Sequence, residues 1–364
     1  MYLDNAATTV LSDKVKDHII SILDSYGNPS SLYGIGAKSK TLLTTARKRV
    51  AKFINANVDE IYFTSSGSAS NVLAIKGYVR KHNCHVLYSP IAHKSILKTV
   101  EDCQKKTPLS VNRHGSIDLH DLKKKCNSFD GALVVVDYAN SEIGTIQNIK
   151  KIIDIVHSAG GTIYVDCTAS ISSVPINVEK LDVDMCGFSG HKIGALKGCG
   201  AFYKKDNINI DPLIYGSQED GLFGGTENIL GISSLGVAVS NHDYSLCNSL
   251  HRDYIASYIS KNISDCYIVG DAKNRLCNHL LVCFEGVDSE SLMFLLDLYG
   301  IQVSTGSECN IREVRPSVAL QEIGLNKKDL FSCVRITLNG RENYKDLKFV
   351  CEKIKECVDY LRDM

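Results

Sequence analysis

The chain has 364 residues, which at about 150 residues per domain suits roughly two domains with a substantial buried core. Its 41 Lys and Arg balance its 41 Asp and Glu, so neither a basic nucleic-acid footprint nor an acidic tail shows, and no apolar run reaches the roughly 18 residues of a membrane span. Fourteen Cys are too few for a disulfide scaffold, and the opening MYLDNAATT lacks the charged and apolar regions of a secretory leader. The expectation is a soluble, cytoplasmic protein in a reduced compartment, with a small molecule or a protein as partner.

In chain order, KSKTLLTTARKRVAKFI sets Leu42, Leu43, Ala46, Val50, Phe53 and Ile54 at helical spacing, which predicts a helix with one buried face. EIYFTS and CHVLYSP read as strands on either side of the helical SNVLAIKGYVRKH. ALVVVDYAN then reads as a strand, IKKIIDIVHSAGG as a helix closed by glycine, and GTIYVDC, VDMCGFSG and GCGAFYKK as strands. Such alternation predicts an α/β fold with a mainly parallel sheet covered by helices. From about residue 240 the pattern becomes a smaller α+β unit: helical SLHRDYIASYISKNI, strands NHLLVCFEG and GIQVST, helical SVALQEIG, strand CVRITL and the final helix KDLKFVCEKIKECVDYLRDM. The domain expectation is a large unit over residues 14–240 and a small one made of residues 1–13 and 241–364.

No two cysteines are spaced as CxxC, so no zinc ribbon or redox pair is predicted, and no metal site. Cys283 in HLLVCFEG and Cys333 in FSCVRIT sit in apolar runs, where a thiol acts as a small hydrophobe. Cys309 differs. It lies in the polar STGSECNIREVRPS, which predicts an exposed loop and a thiol free to react.

Ligands of parallel sheets bind beyond the carboxyl ends of the strands. FTSSGSASN puts Ser65, Ser66, Gly67, Ser68 and Ser70 at a helix start, where free N–H groups and hydroxyls suit a phosphate, although Ser-rich helix starts are also ordinary caps. The pattern is neither a P-loop nor GxGxxG, so a nucleotide is not favoured. His93 follows one strand, and Asp166 ends the apolar strand YVD, where a carboxylate needs a cationic or protonated partner. In FSGHKIG, Ser189, His191 and Lys192 lie in a glycine-flanked turn where a desolvated lysine can act as an amine nucleophile. A phosphate cradle, a ring-stacking His, a strand-end Asp and such a Lys are together the parts that pyridoxal 5'-phosphate requires.

The segments YLDNAATT, GNPSS, FTSSGSASNVLAIKG, ANSEIGTIQ, YVDCTAS, SGHKIGALKG, GGTEN, STGSECN and VRITLNGRE, in this order from Tyr2 to about Arg341, resemble the NifS/IscS-type cysteine desulfurases. These belong to the class V aminotransferase group of fold-type I pyridoxal-phosphate enzymes. The resemblance implies that Lys192 holds the cofactor aldehyde and moves the substrate's Cα proton. It implies that His93 stacks on the pyridine ring and takes part in proton transfer, and that Asp166 binds the ring nitrogen. Gly67, Ser68, Ser189 and His191 would surround the phosphate, with Thr226 reaching in from the second subunit of a homodimer. Asn140 would lie near the ring hydroxyl and the substrate carboxylate, and Arg335 would anchor that carboxylate. Cys309 would take sulfur from L-cysteine as a persulfide, releasing alanine, and pass it to an acceptor protein in a process such as iron–sulfur cluster assembly or tRNA thiolation.

The chain also departs from that pattern. Ala169 stands where a Gln usually bonds the ring's phenolic oxygen, and Ser66, Gly67, Ser68 and Ala69 replace the usual GGTE or GATE turn. Asp220 and Phe223 stand where Arg is usual, Tyr33 replaces His, Ser141 replaces the second Asn, and Glu308 precedes Cys309. A carboxylate close to Cys309 would raise its thiol pKa. These changes spare Lys192, Asp166 and His93 and leave alternatives open: another class V activity (a selenocysteine lyase, cysteine lyase or aminotransferase), or a catalytically weakened sulfur-trafficking paralogue.

Overall fold

The computed structural model describes residues 1–305 and 316–364 in full, and residues 308–310 and 313–315 at the level of the backbone. Seven strands, β1 (Ile61–Thr64), β2 (Val86–Tyr88), β3 (Lys106–Pro108), β4 (Leu133–Asp137), β5 (Thr162–Asp166), β6 (Met185–Ser189) and β7 (Gly200–Lys204), form one sheet in the order β1-β7-β6-β5-β4-β2-β3. Only β7 runs against its neighbours in that sheet; β3, β2, β4, β5 and β6 are parallel. Alternation along each strand sorts the side chains. Leu133, Val135, Tyr164, Met185 and Phe202 face α3 (Gly67–His82) and α4 (Lys94–Glu101). Val134, Val136, Ile163, Val165 and Phe188 face a second core that includes α1 (Asp13–Ile22), α2 (Gly34–Ile54), α5 (Leu119–Ser128), α6 (Ile149–Ser158), α7 (Val178–Leu181) and α8 (Ile229–Ser240).

The sequence α8, ILGISSLGVAVS, is apolar on every side because almost all of it is buried, so it offers no amphipathic signal. Helices α1, α4 and α5 were likewise absent from the periodicity reading; each has ten residues or fewer. Their starts are fixed locally by caps: Ser12, His93 and Asp118 side chains accept from backbone N–H groups of the first turn.

The second unit has the antiparallel sheet β10-β13-β9-β8, made from β8 (Cys266–Ile268), β9 (His279–Phe284), β10 (Ser304–Thr305) and β13 (Cys333–Thr337). It packs with α9 (Leu250–Asn262), α10 (Ser289–Leu298) and α12 (Tyr344–Asp363); α11 (Val318–Glu322) lies before β13. The GIQVST segment is a strand only over its last two residues. The polar pattern predicts an exposed loop at Cys309; the backbone there forms β11 (Glu308–Asn310), paired antiparallel with β12 (Glu313–Arg315). The side chains of Cys309 and Glu308 lie outside the described residues.

The N-terminal segment joins the two sheets. Leu3 is wholly buried in the core of the second unit, its N–H donates to the Gln302 carbonyl at 2.8 Å, and its carbonyl accepts from Thr337 N–H at 2.7 Å. Truncation there leaves a cavity, so Leu3→Ala is expected to cost about 2–5 kcal/mol of stability, read as a lower denaturant midpoint with an unchanged slope.

Candidate active site

The strand ends β4, β5 and β6 open on a cavity of about 440 Å³ whose far wall is contributed by His279 of β9, Thr305 of β10 and Arg335 of β13. Lys192 follows β6 in a short 3-10 turn, Gly190–Lys192. Its Nζ donates to the carbonyl of Ala6 and, at 2.8 Å, to that of Ala7. Burial, with added repulsion from Arg335, lowers the Lys192 amine to about 8, so roughly a tenth of it is neutral near pH 7, far more than the under one part in a thousand of an ordinary lysine. That is the state a nucleophilic amine requires.

Asp166 ends β5 and is buried. Its Oδ2 accepts from Asn71 Nδ2 at 2.9 Å and its Oδ1 from Thr168 N–H at 2.8 Å. Asn71 in turn accepts from the Tyr164 hydroxyl at 2.5 Å and donates to Ser95 Oγ at 2.8 Å. Ser95 Oγ lies 2.8 Å from His93 Nδ1, and Ser95 N–H donates to that same nitrogen at 3.2 Å. Nδ1 is thus the acceptor, which assigns the proton of the neutral ring to Nε2. One network orients the strand-end carboxylate and the imidazole together.

The start of α3 forms one end of the cavity. Ser66 caps the helix by accepting from Ala69 N–H at 3.1 Å, and Gly67 and Ser68 line the cavity. Gly67 has no room for a side chain: a Cβ there would lie 2.7 Å from Thr168 Oγ1 and 3.3 Å from Ser189 Cβ. The Thr168 hydroxyl is buried without a hydrogen-bond partner among the described residues. Ser189 and His191 line the same end, and burial beside Lys192 and Lys197 lowers the His191 ring to about 4.

Arg335 donates to the Ser141 carbonyl at 3.1 Å and pairs with Asp4 at 2.8 Å, while its Nε is buried with no described partner. Asn140 is placed differently from a ligand-facing amide: its Nδ2 donates to the Ile91 carbonyl at 2.6 Å, and its Oδ1 accepts from Glu142 and Ile143 N–H groups. Its neighbours Ala139 and Ser141 line the cavity instead. Thr226 is exposed and outside the cavity lining of this chain. Sequence reasoning missed Asn71, Asp137 and His279. His279 is buried, its Nε2 lies 3.0 Å from the Ser141 carbonyl, and burial lowers the ring to about 3, which keeps it neutral. Asp137 ended an apolar strand just as Asp166 did, so that signal was available.

The class-V aminotransferase pattern matches residues 1–349. The chain belongs to this family. Over its whole length it is 35% identical to a protein named cysteine desulfurase IscS from Dictyoglomus turgidum, covering 95% of that relative. Among solved structures, a NifS-like protein at 29% identity superposes with a TM-score of 0.92 over 99% of this chain and all of that one. A structure titled SspA in complex with cysteine, also 29% identical, gives 0.81 over 94% of this chain and 99% of that one. The fold is therefore that of the fold-type I enzymes, and the family is pyridoxal-phosphate dependent.

The residues present fit that group. The orphaned Thr168 hydroxyl and the closed approach at Gly67 suit a phosphate, the buried Asp166 suits a protonated ring nitrogen, and the desolvated Lys192 amine suits an aldehyde. Gly67→Ala is expected to push the Thr168 hydroxyl aside and weaken pyridoxal-phosphate binding about tenfold, or ~1.4 kcal/mol, in an absorbance titration. The cofactor-free protein should also show Lys192 reacting with small aldehydes at a rate that reaches half its plateau near pH 8. An ordinary lysine would do so only above about pH 10, and that outcome would show the amine to be solvated.

Proposed function

We propose that this chain is a cysteine desulfurase that removes sulfur from L-cysteine, holds it as a persulfide on Cys309, and passes it to an acceptor protein. The observation that carries the reading is the desolvated Lys192 amine facing one cavity with Asp166 and Arg335. Bound pyridoxal phosphate supplies an electron sink that makes the substrate Cα–H acidic. Arg335, opposite the strand ends, holds the substrate carboxylate. The neutral form of the Lys192 amine takes the Cα proton, and His93, which lines the same cavity and accepts at Nδ1, donates and recovers protons through Nε2. The Cys309 thiolate then attacks the substrate sulfur: an S–S bond forms, the substrate C–S bond breaks, and the electron pair remains on carbon, which is protonated to give alanine.

The names of the relatives and the cysteine-bound neighbour support L-cysteine as the substrate. We take residues 14–240 as the cofactor unit, and residues 1–13 with 241–364 as the smaller unit that carries Cys309. The exposure of Thr226 is consistent with a role in a second copy of the chain, as in a homodimer. The thirteen cysteines with described side chains are all free thiols, which suits a reduced cytoplasmic setting. No helix among the described residues is long and apolar enough to cross a membrane.

The decisive measurement is the mass of the Cys309 peptide after treatment with L-cysteine. A gain of one sulfur atom, absent in Lys192→Ala, is expected. Undiminished alanine and sulfide production by Cys309→Ala would instead identify a lyase that needs no persulfide.

A further inference from the structure

Asp137 is the last residue of β4 and is 5% exposed, yet neither of its carboxylate oxygens has a hydrogen-bond partner among the described residues. It pairs in register with Asp166 across the parallel β4–β5 ladder, so the two side chains leave the same face of the sheet, toward α3 and α4. Both line the cavity. Among the described residues a second carboxylate there meets no cation: the Lys192 amine is held by the Ala6 and Ala7 carbonyls, and Arg335 by Asp4 and the Ser141 carbonyl. The Asn140 amide beside it donates to the Ile91 carbonyl and accepts from the Glu142 N–H, and with the Ser89 hydroxyl it is a polar neighbour that partly favours the charged carboxylate against burial.

The cofactor that fits this cavity has four polar substituents. Its phosphate belongs with the α3 start, its ring nitrogen with Asp166 and its aldehyde with Lys192, which leaves the ring oxygen. The turn after β5 places on the cavity wall Ala169, which has no polar group, together with Thr168 and Ser172. Of the other lining atoms without a partner among the described residues, the Thr168 hydroxyl lies against Gly67 at the phosphate end, and His279 Nδ1 and Arg335 Nε belong to the wall formed by β9 and β13. We propose that Asp137 provides the hydrogen bond to the ring oxygen of bound pyridoxal phosphate, in place of the donor that Ala169 cannot supply.

An oxygen that carries negative charge requires a donor, so Asp137 acts as the protonated acid. Burial, reinforced by repulsion from Asp166, raises its carboxyl to about 7. Asp166 is the charged neighbour that acts on it directly; Ser89 beyond β2 and Asn140 beyond β4 are its polar neighbours. Lys192, His93, Glu142, His191, His279 and Arg335 are the other titratable groups on the cavity wall, and burial favours the neutral form of His191 and His279.

This inference rests on the cofactor reading and not on the identity of the substrate. The test is a pH titration of the visible absorption band of the purified holoenzyme in the absence of amino acid. A donor to the ring oxygen stabilises its ionised form. Asp137→Leu should therefore raise the midpoint of the band by about one pH unit or more, the effect of losing a hydrogen bond to a charged group. Asp137→Asn, which keeps an N–H donor, should stay close to the parent near neutral pH, and Ala169→Gln added to Asp137→Leu should bring the midpoint back. A midpoint unmoved in a yellow, folded Asp137→Leu protein overturns the proposal, as does a shift that Ala169→Gln fails to reverse. Should Asp137→Leu not fold, an Asp137→Asn midpoint displaced as far as one unit at neutral pH overturns it equally. A parent protein that stays colourless with added pyridoxal phosphate overturns the cofactor reading itself, which separates the two failures.

Discussion

The Lys192 amine sits between the carbonyls of Ala6 and Ala7, and the rest of the architecture serves that placement. A cationic lysine is costly to bury, and two carbonyl dipoles soften that cost without supplying the full negative charge that would lock the amine in its protonated form. The carbonyls come from a segment that is itself fixed at both ends. Leu3 and Asn5 bond to the Thr337 region of the small sheet, and Thr9 bonds the His191 carbonyl beside Lys192. The amine, the small sheet and the large sheet are therefore aligned through one short stretch of chain.

Charge in the cavity is arranged by the same economy of partners. Arg335 is held by Asp4, Asp166 by neutral N–H donors, and the half-buried His191 and buried His279 are kept uncharged. The Asp166–Asn71–Ser95–His93 network couples the carboxylate at the end of β5 to the ring at the start of α4, so these two groups cannot reorient independently. Asp137 is the exception, a carboxyl without a hydrogen-bond partner among the described residues where the parallel ladder sets it beside Asp166.

Much of the site was legible because parallel α/β sheets place function just after strands, and apolar strands ending in Asp166 or FSGHK stand out from their surroundings. Asn71 was not legible: it lies inside a helix, and only packing of α3 over β5 turns its amide toward Asp166. His279 begins a buried strand of the second sheet, and its place on the cavity wall depends on how the two sheets face each other. Asn140 shows the opposite case, since a polar residue in a suggestive segment was drawn into the turn's own backbone bonds.

The sequence by itself determined the alternating α/β pattern, the family and the chemical identities of the lysine, the strand-end aspartate and the arginine, because these are written in local periodicity and motif spacing. It also marked Cys309 as the unusual thiol among fourteen. Only the tertiary structure decided the ionisation of those groups and their companions, because desolvation and neighbouring charge depend on contacts between residues as distant in sequence as Ala6 and Lys192, Asp4 and Arg335, or Asp137 and Asp166.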